Sequence, residues 1–507
     1  MKRTIINTFC IAALSVPTVS VIADDKGNII IDENSERALQ FRTTQEQITS
    51  GELSFDEIRL RGRQLFSTPY TKADGYGDGP AGATAELRRT FGNRATLQDN
   101  GTFLRINGLD AQTCLECHSV GSRRSVPMRF VVGGTGGVNN TVLGGGGASF
   151  INANNDAGQI NDPDGFGTTG QQNLNGRIIN PPFVFGSGGV ELIGNEMTTD
   201  LQAIVNGLAN GDTAELVSKG ISFGSVSKDA SGNIVANDEG RAVGVEGINA
   251  NPDSTTFLVV QPFGRKGNNI TTRTFDLDAM QFHMGMQPVE LFGEGIDDDG
   301  DGVVNEMLVG ELSALNIFSA ALERPFQEEV KDAALRGQAL FAEVGCAECH
   351  TPTLESNSKS VGMRFPEIAQ DPAANVYFEV DLSQSPTKFK RNEQGGVSVE
   401  LFADLKTHNM GPALAEFNGD ANFTTARLWG VADTAPYLHD GRAGTLQEAI
   451  RMHGQEGSEA KPAVDNFVDL PSNDQAALIS FLATLRTPRK SGKGLDGLAE
   501  KLNKTKK

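Results

Sequence analysis

A mainly α-helical fold of two lobes, with long loops and small β-hairpin insertions, is what this sequence predicts, and three observations predict it. Two runs of one pattern, Cys114-Leu115-Glu116-Cys117-His118 and Cys346-Ala347-Glu348-Cys349-His350, stand in the two halves of a 507-residue chain. A helical phrase, Arg61-Gly62-Arg63-Gln64-Leu65-Phe66, returns ahead of the second run as Arg336-Gly337-Gln338-Ala339-Leu340-Phe341. A second echo follows each run, Thr199-Asp200-Leu201-Gln202-Ala203-Ile204 against Thr445-Leu446-Gln447-Glu448-Ala449-Ile450. The shared order of phrase, cysteine motif and phrase points to an old duplication with one motif per copy.

Each run is the C-x-x-C-H pattern in which two thiols bond the vinyl groups of haem and the adjacent imidazole becomes the proximal iron ligand. Cysteine arithmetic agrees: of five cysteines the fifth, Cys10, lies in an expected leader, and none is left for a disulfide. A zinc site would want a fourth ligand at each motif, and a thioredoxin-like pair does not need the histidine. Two covalent c-type haems are therefore expected, attached at Cys114, Cys117, Cys346 and Cys349, with His118 and His350 on the irons. The boundaries read as an N-terminal cytochrome c-like haem domain over 36–320, a C-terminal one over 330–490, and a basic tail over 491–507.

Residues 1–23 read as a secretory signal, with Lys2 and Arg3 before an apolar stretch and small residues up to Ala23, so a periplasmic location is expected. That stretch is too short for a membrane span, and no later one approaches it. Loss of the leader takes the formal charge from −20 to −22. Such acidity argues against nucleic acid and suits a basic redox partner, a small cytochrome or copper protein acting as electron donor. Hydrophobic content of 38% beside 59 glycines implies modest cores wrapped by long loops.

Along the chain, the spacing of Ile48, Leu53, Phe55, Ile58, Leu60 and Leu65 predicts helical packing up to Phe66. A Gly-rich and Arg-rich insertion over 68–110 precedes the first motif, and the Gly, Asn and Asp content of 130–176 predicts a surface loop. The runs Gly220–Val226 and Asn233–Val235 around Asp229-Ala230-Ser231-Gly232 predict a hairpin. Apolar periodicity predicts helices over Val309–Leu322 and Asn473–Leu485, and the Lys-rich tail is expected to fray.

Whether a second side chain closes each iron decides between electron transfer and chemistry on a small molecule. Beyond the two proximal histidines, the four remaining are His283, His408, His439 and His453. The run Leu428-Trp429-Gly430-Val431-Ala432-Asp433-Thr434-Ala435-Pro436-Tyr437-Leu438-His439-Asp440-Gly441-Arg442, with Thr445–Ile450, resembles the C-terminal haem domain of bacterial di-haem cytochrome c peroxidases. With His408-Asn409-Met410-Gly411-Pro412, it is more similar still to the related di-haem oxidoreductase family. The resemblance runs over about residues 55–487, strongest at the two motifs and from 401 to 454.

That resemblance implies a distal ligand fourteen residues beyond the histidine of the H-D-G motif, a methionine in the peroxidases and His453 here. His350 and His453 would then close the second iron, with Met452 or Met410 or a vacant site as the alternatives, and His439 would touch a propionate or a ligand. The first haem differs. No histidine lies between His118 and His283, so an open or water-bound iron is expected, with His283 or Met128 as alternative ligands. There hydrogen peroxide or oxygen would bind, and a nearby base is needed to move its proton. By resemblance Glu191, Glu196 and Gln202 are candidates for that task, as is His283. One departure stands out: the peroxidases carry a Trp between their haems in the first domain, whereas the only Trp here is Trp429, so hopping would use Phe183 or Phe185, or proceed directly.

Asp297, Asp299 and Asp301, with Gly302 and then Glu306, have oxygen spacing suited to Ca²⁺, although the twelfth loop position is Leu308. The peroxidases, by resemblance, hold calcium between their haem domains, and an acidic turn is the plain alternative. The expected activity is reduction of peroxide at the first haem with electrons relayed by the second. Oxidation of an organic or protein substrate, or electron carriage alone, are the alternatives.

Overall fold

The computed structural model describes residues 37–39, 41–77, 180–235, 244–415 and 419–488, short pieces of 104–118 that include Cys114 and His118, and two three-residue strands at 21–23 and 29–31. The expected leader apart from its end, Cys10, Cys117, Met128, the loop over 130–176 and the basic tail lie outside the described residues.

Ten helices carry the described chain, and two pairs of them repeat one packing arrangement. Helix α1 (Gln45–Thr49) is followed by α2 (Phe55–Ser67), which begins at a capping box between Ser54 and Glu57 and buries Ile58, Leu65 and Phe66. Helices α3 (Ser187–Gly207), α4 (Thr272–Met284) and the short α5 (Val289–Phe292) come next. Then α6 (Val309–Ala320), almost wholly buried, lies against α2 so closely that a Cβ on Gly62 would collide with the Ala314 carbonyl. In the second half α7 (Ala333–Glu343) meets α10 (Ser472–Leu482) in the same way, with Gly337 against the Ala477 carbonyl. Between those two lie α8 (Leu446–His453) and α9 (Lys461–Asp469). The repeated Arg-Gly phrase thus places glycine where two helix axes must approach, and Phe four residues later beside the cysteine motif.

The other echo is unequal. Thr445 caps α8 in a capping box with Glu448, whereas Thr199 sits inside α3 and bonds the Asn195 carbonyl at 2.9 Å. The first copy of that helix starts a full three turns earlier, at Ser187, so its threonine has no free helix end to cap.

The predicted hairpin forms, as Ile221–Lys228 against Ile234–Val235, and Thr213–Ser218 adds a third strand on the far side. Less expected is the sheet content of 354–424, where Leu354–Glu355, Val397–Val399 and Lys390–Arg391 make one small sheet. Ser360–Arg364 pairs with Val376–Asp381, and Thr407–Asn409 with Asn422–Thr424. Two apolar clusters hold the chain together. The smaller contains Leu340, Phe341, Phe402, Phe467, Phe481 and Leu485. The larger joins α2, α3 and α6 to Val361, Leu382, Phe389 and Val399, so the small sheets after the second motif bury their apolar side against the first lobe. Gly188 and Gly189 at the start of α3 permit this approach, since side chains there would strike Leu382 and Phe389. No helix among the described residues is long and apolar enough to cross a membrane.

Candidate functional site

The second cysteine motif follows α7 through Gly345, whose φ of +102° turns the chain into a single 3-10 turn, Cys346–Glu348. His350 closes the turn by donating its backbone N–H to the Cys346 carbonyl at 2.9 Å. Its Nδ1 lies 3.1 Å from the Phe402 carbonyl, which fixes the ring and leaves Nε2 for a metal. Phe402 is itself wedged between Phe341 and Phe481, at ring distances of 6.1 and 6.0 Å. Beside His350 stands His453, the last residue of α8, with Nδ1 held 2.6 Å from the Ala449 carbonyl. Burial, then the neighbouring His453, push His350 down to about 4, and burial lowers His453 as well. Two neutral imidazoles, each with Nδ1 engaged, form a donor set suited to an iron between them.

The first lobe repeats the design. Cys114–Glu116 is a 3-10 turn, the His118 backbone N–H reaches the Cys114 carbonyl at 2.8 Å, and the imidazole bonds the Pro182 carbonyl. Phe66, from the repeated phrase, has its ring 6.3 Å from that of His118. Burial, then His283, push His118 down to about 4. His283 sits at the C-terminal end of α4, just before Gly285 at φ +70°, as His453 sits at the end of α8. At both motifs, therefore, a histidine on a tight turn has a second histidine near it, delivered by a helix end.

Cys346, Cys349 and Cys114 are half-buried and in no disulfide, and the Cys349 thiol lies 4.0 Å from His408 Nδ1. With the spare Nε2 atoms and the aromatic lining, these residues fit a porphyrin attached through its edge. His408 is placed differently from a ligand, because both ring nitrogens are taken: Nε2 by Asp404 at 2.8 Å and Nδ1 by Glu459 at 2.7 Å. Burial opposes its charge, but the hydrogen bond to Asp404 and the contact with Cys349 push it up to about 11. Against burial, His408 in turn holds Asp404 below the usual carboxylate range. His439 stacks on Phe423 at 4.5 Å, and Lys266 covers the other ring at 3.6 Å.

The sequence-chosen acids are committed elsewhere. Glu191 is buried and accepts from the Thr272 backbone at 2.9 Å and hydroxyl at 2.7 Å; burial pushes it up, with Arg364 opposing. Glu196 accepts from the Asn357 and Ser358 backbones and pairs with Lys219 at 2.5 Å. Gln202 donates to the Phe257 carbonyl at 2.7 Å. None of these bonds runs to His118 or His283, and of the four residues chosen for the distal pocket His283 is the one that acts on His118.

Residues 306–485 match the family model described as "Di-haem oxidoreductase, putative peroxidase". That stretch is about a third of the chain, and over it the sequence is similar to this family. Among proteins of known role, it is similar to the cytochrome-c peroxidase IdrP2 of Pseudomonas sp. (strain SCT), 28% identical over 159 residues, 30% of this chain and 39% of that one. It is also similar to the cytochrome-c peroxidase IdrP1 of Denitromonas iodatirespirans, 27% identical over 158 residues, 30% of this chain and 40% of that one. The match thus spans about two fifths of the length of these relatives. Two solved structures share a looser likeness: a MauG-like protein associated with microbial copper homeostasis (18% identity, 60% of this chain, 85% of that one, TM-score 0.26) and Kuenenia stuttgartiensis hydrazine synthase (16%, 58%, 87%, TM-score 0.24). At those scores neither carries an argument.

Within the stretch that matches this family model, the H-D-G loop is stitched to the strap that seats His118. Asn180 donates its backbone N–H to the His439 carbonyl at 2.8 Å and its amide to the carbonyls of Pro436 and Leu438, two residues before Pro182. Arg427 donates to the Phe183 carbonyl at 3.2 Å, and Trp429 packs on Gly186 beyond the Phe183–Phe185 ring pair. Sequence reasoning missed this strap, and it missed Asp276 and Asp278 on α4. Asp276, seven residues before His283, shares its helix face, a spacing that was there to be read.

Proposed function

We propose that the chain is a di-haem c-type oxidoreductase of the periplasm that reduces hydrogen peroxide at the first haem with electrons relayed by the second. The observation that carries this reading is the repeated seat: a C-x-x-C-H turn, a carbonyl-held proximal imidazole and a second histidine near it, in each lobe. When bound, the first haem would supply the iron on which an O–O bond is broken. His283 would take the proton of the incoming peroxide and return it to the leaving oxygen. Asp278, on the same helix, is pushed up by burial and drawn down by Asn269 and by His283, so it can share that proton. In the second lobe His350 and His453 would hold the iron from both sides, which suits storing and passing electrons. The strap from Asn180 to Gly186, bonded to the H-D-G loop and packed on Trp429, would carry electrons between the two haems. Electrons would arrive from a small basic cytochrome or copper protein drawn to the acidic surface.

A second reading rests on the same pairing. If His283 is itself an iron ligand, both centres are closed and the protein is an electron carrier. An EPR spectrum of the ferric holoprotein decides: one high-spin and one low-spin signal support the peroxidase, and two low-spin signals overturn it. His453→Gly should abolish the low-spin signature of one haem alone; an unchanged spectrum would refute the His350/His453 assignment.

A further inference from the structure

The turn from Phe402 to His408 does two things at the second cysteine motif. The Phe402 carbonyl fixes the His350 ring, and two residues later Asp404 is buried with both oxygens in use. Its Oδ1 accepts from the Lys406 backbone at 3.0 Å and the Thr425 hydroxyl at 2.7 Å, and its Oδ2 from His408 Nε2 at 2.8 Å. Phe402 and Leu405 take φ of +56° and +64°, a backbone region that side chains disfavour, so the turn is held by its surroundings rather than by its own preference. It brings His408 Nδ1 to 4.0 Å from the Cys349 thiol, the atom through which a porphyrin would be attached.

Hydrogen bonding decides the charge of His408. Nε2 faces Asp404 and Nδ1 faces Glu459 at 2.7 Å, and an ionised carboxylate only accepts. Both ring nitrogens must therefore carry hydrogen, which the imidazolium alone provides. Asp404, with three donors aimed at it, is ionised. Glu459 is exposed, and water and salt screen its charge. What lies buried beside the attachment point is thus one negative charge and one positive charge. Both reach the proximal imidazole, and they act on His350 with opposite signs.

We propose that His408 sets the reduction potential of the second haem: its fixed imidazolium cancels the buried Asp404 carboxylate beside the Cys349 attachment and so keeps that potential up. Reduction of a ferric iron adds one electron, moves no proton and leaves the centre one unit less positive. A neighbouring anion opposes that change and a neighbouring cation favours it. Asp404 alone would hold the iron ferric, whereas Asp404 paired with His408 is close to neutral. The inference rests on the reading of the second motif as a haem seat and asks nothing of the chemistry at the first.

Potentiometric titration of the haem-loaded full-length protein near pH 6, followed on the low-spin signal that His453→Gly removes, tests this. His408→Gln leaves Asp404 unopposed and should lower the potential, so that the ferrous-to-ferric ratio at the wild-type midpoint falls about tenfold. Asp404→Asn leaves the imidazolium unopposed and should raise it. His408→Lys keeps a cation and should stay nearer to wild type than His408→Gln does. Loosened packing around a haem would move all three variants the same way, whereas charge moves them apart. The proposal is overturned if His408→Gln leaves the potential unchanged, if His408→Lys shifts it as far as His408→Gln, or if Asp404→Asn shifts it in the same direction as His408→Gln. Where Asp404→Asn does not load haem, the two His408 variants decide alone. A wild-type holoprotein without a low-spin haem at the second motif would instead refute the reading of the seat, a result visible in the spectrum before any titration.

Discussion

Asp404→Asn tests how the second haem motif is seated. The Asp404 side chain is 3% exposed; Oδ2 accepts from His408 Nε2 at 2.8 Å, and Oδ1 accepts from the Lys406 backbone at 3.0 Å and the Thr425 hydroxyl at 2.7 Å. Asparagine can keep the oxygen that serves Lys406 and Thr425, but it turns an NH2 towards a protonated imidazole. Removing one partner of a buried ion pair costs about 3–5 kcal/mol. Glu459, 54% exposed, still holds Nδ1 at 2.7 Å and offsets part of that, so a loss of about 2 kcal/mol is expected near pH 6. The folded value of His408 lies above its unfolded one, so the contribution of the pair is complete below about pH 6.5 and is lost as pH rises towards about 11. The gap between wild type and variant should therefore narrow to less than about 1 kcal/mol near pH 10. Urea unfolding of the holoprotein, followed by far-UV circular dichroism at both pH values, measures it. An equal gap at both, or none near pH 6, refutes the buried-pair argument.

Gly337→Ala drives a methyl into the Ala477 carbonyl, and Gly62→Ala does the same at Ala314, so each should lower stability by about 1–3 kcal/mol; unchanged melting by scanning calorimetry would mean that the helices separate freely. Glu367→Gln should act with the opposite sign. Burial, then Glu191, push Glu367 up to about 7, so the folded state favours its protonated form, and stability present below about 4.5 is lost as pH rises through that value. The variant should be more stable by about 1 kcal/mol near pH 8 and unchanged near pH 4.5; thermal melts at the two pH values check this.

Much of the framework was legible because its signals are local. The Arg-Gly phrase announced two helices, and the hairpin turn at Asp229-Ala230-Ser231-Gly232 carries its own bonds, with Asp229 accepting from Ser231 and Asn233 at 2.8 Å each. The histidine fourteen residues past the H-D-G motif does stand beside His350. The small sheets of 354–424 were not legible, because strands of two to six residues carry too short an alternation to show a period. Their docking on the first lobe depends on Gly188 and Gly189, whose purpose appears only when Leu382 and Phe389 arrive from almost two hundred residues away. Glu191 and Glu196 were chosen by their distance along the chain, which does not reveal that on α3 the one accepts from Thr272 and the other pairs with Lys219.

The two seats, alike in their turns and their paired histidines, differ in what surrounds the second histidine, and that difference bears on the division of labour. His453 is lowered by burial, opposed by its bond to the Ala449 carbonyl, and the group it acts on is the imidazole of His350, itself pushed down. His283 shares α4 with two aspartates whose carboxyls burial pushes up, Asp278 within its electrostatic reach and Asp276 on its own helix face with one oxygen unpartnered. A buried acid whose carboxyl is pushed up can lend a proton to an imidazole and recover it. Electron transfer needs no such neighbour, but cleaving a peroxide does. On the proposed reading, these neighbours would suit the His118 seat to proton handling and the two buried imidazoles would suit the His350 seat to electron storage.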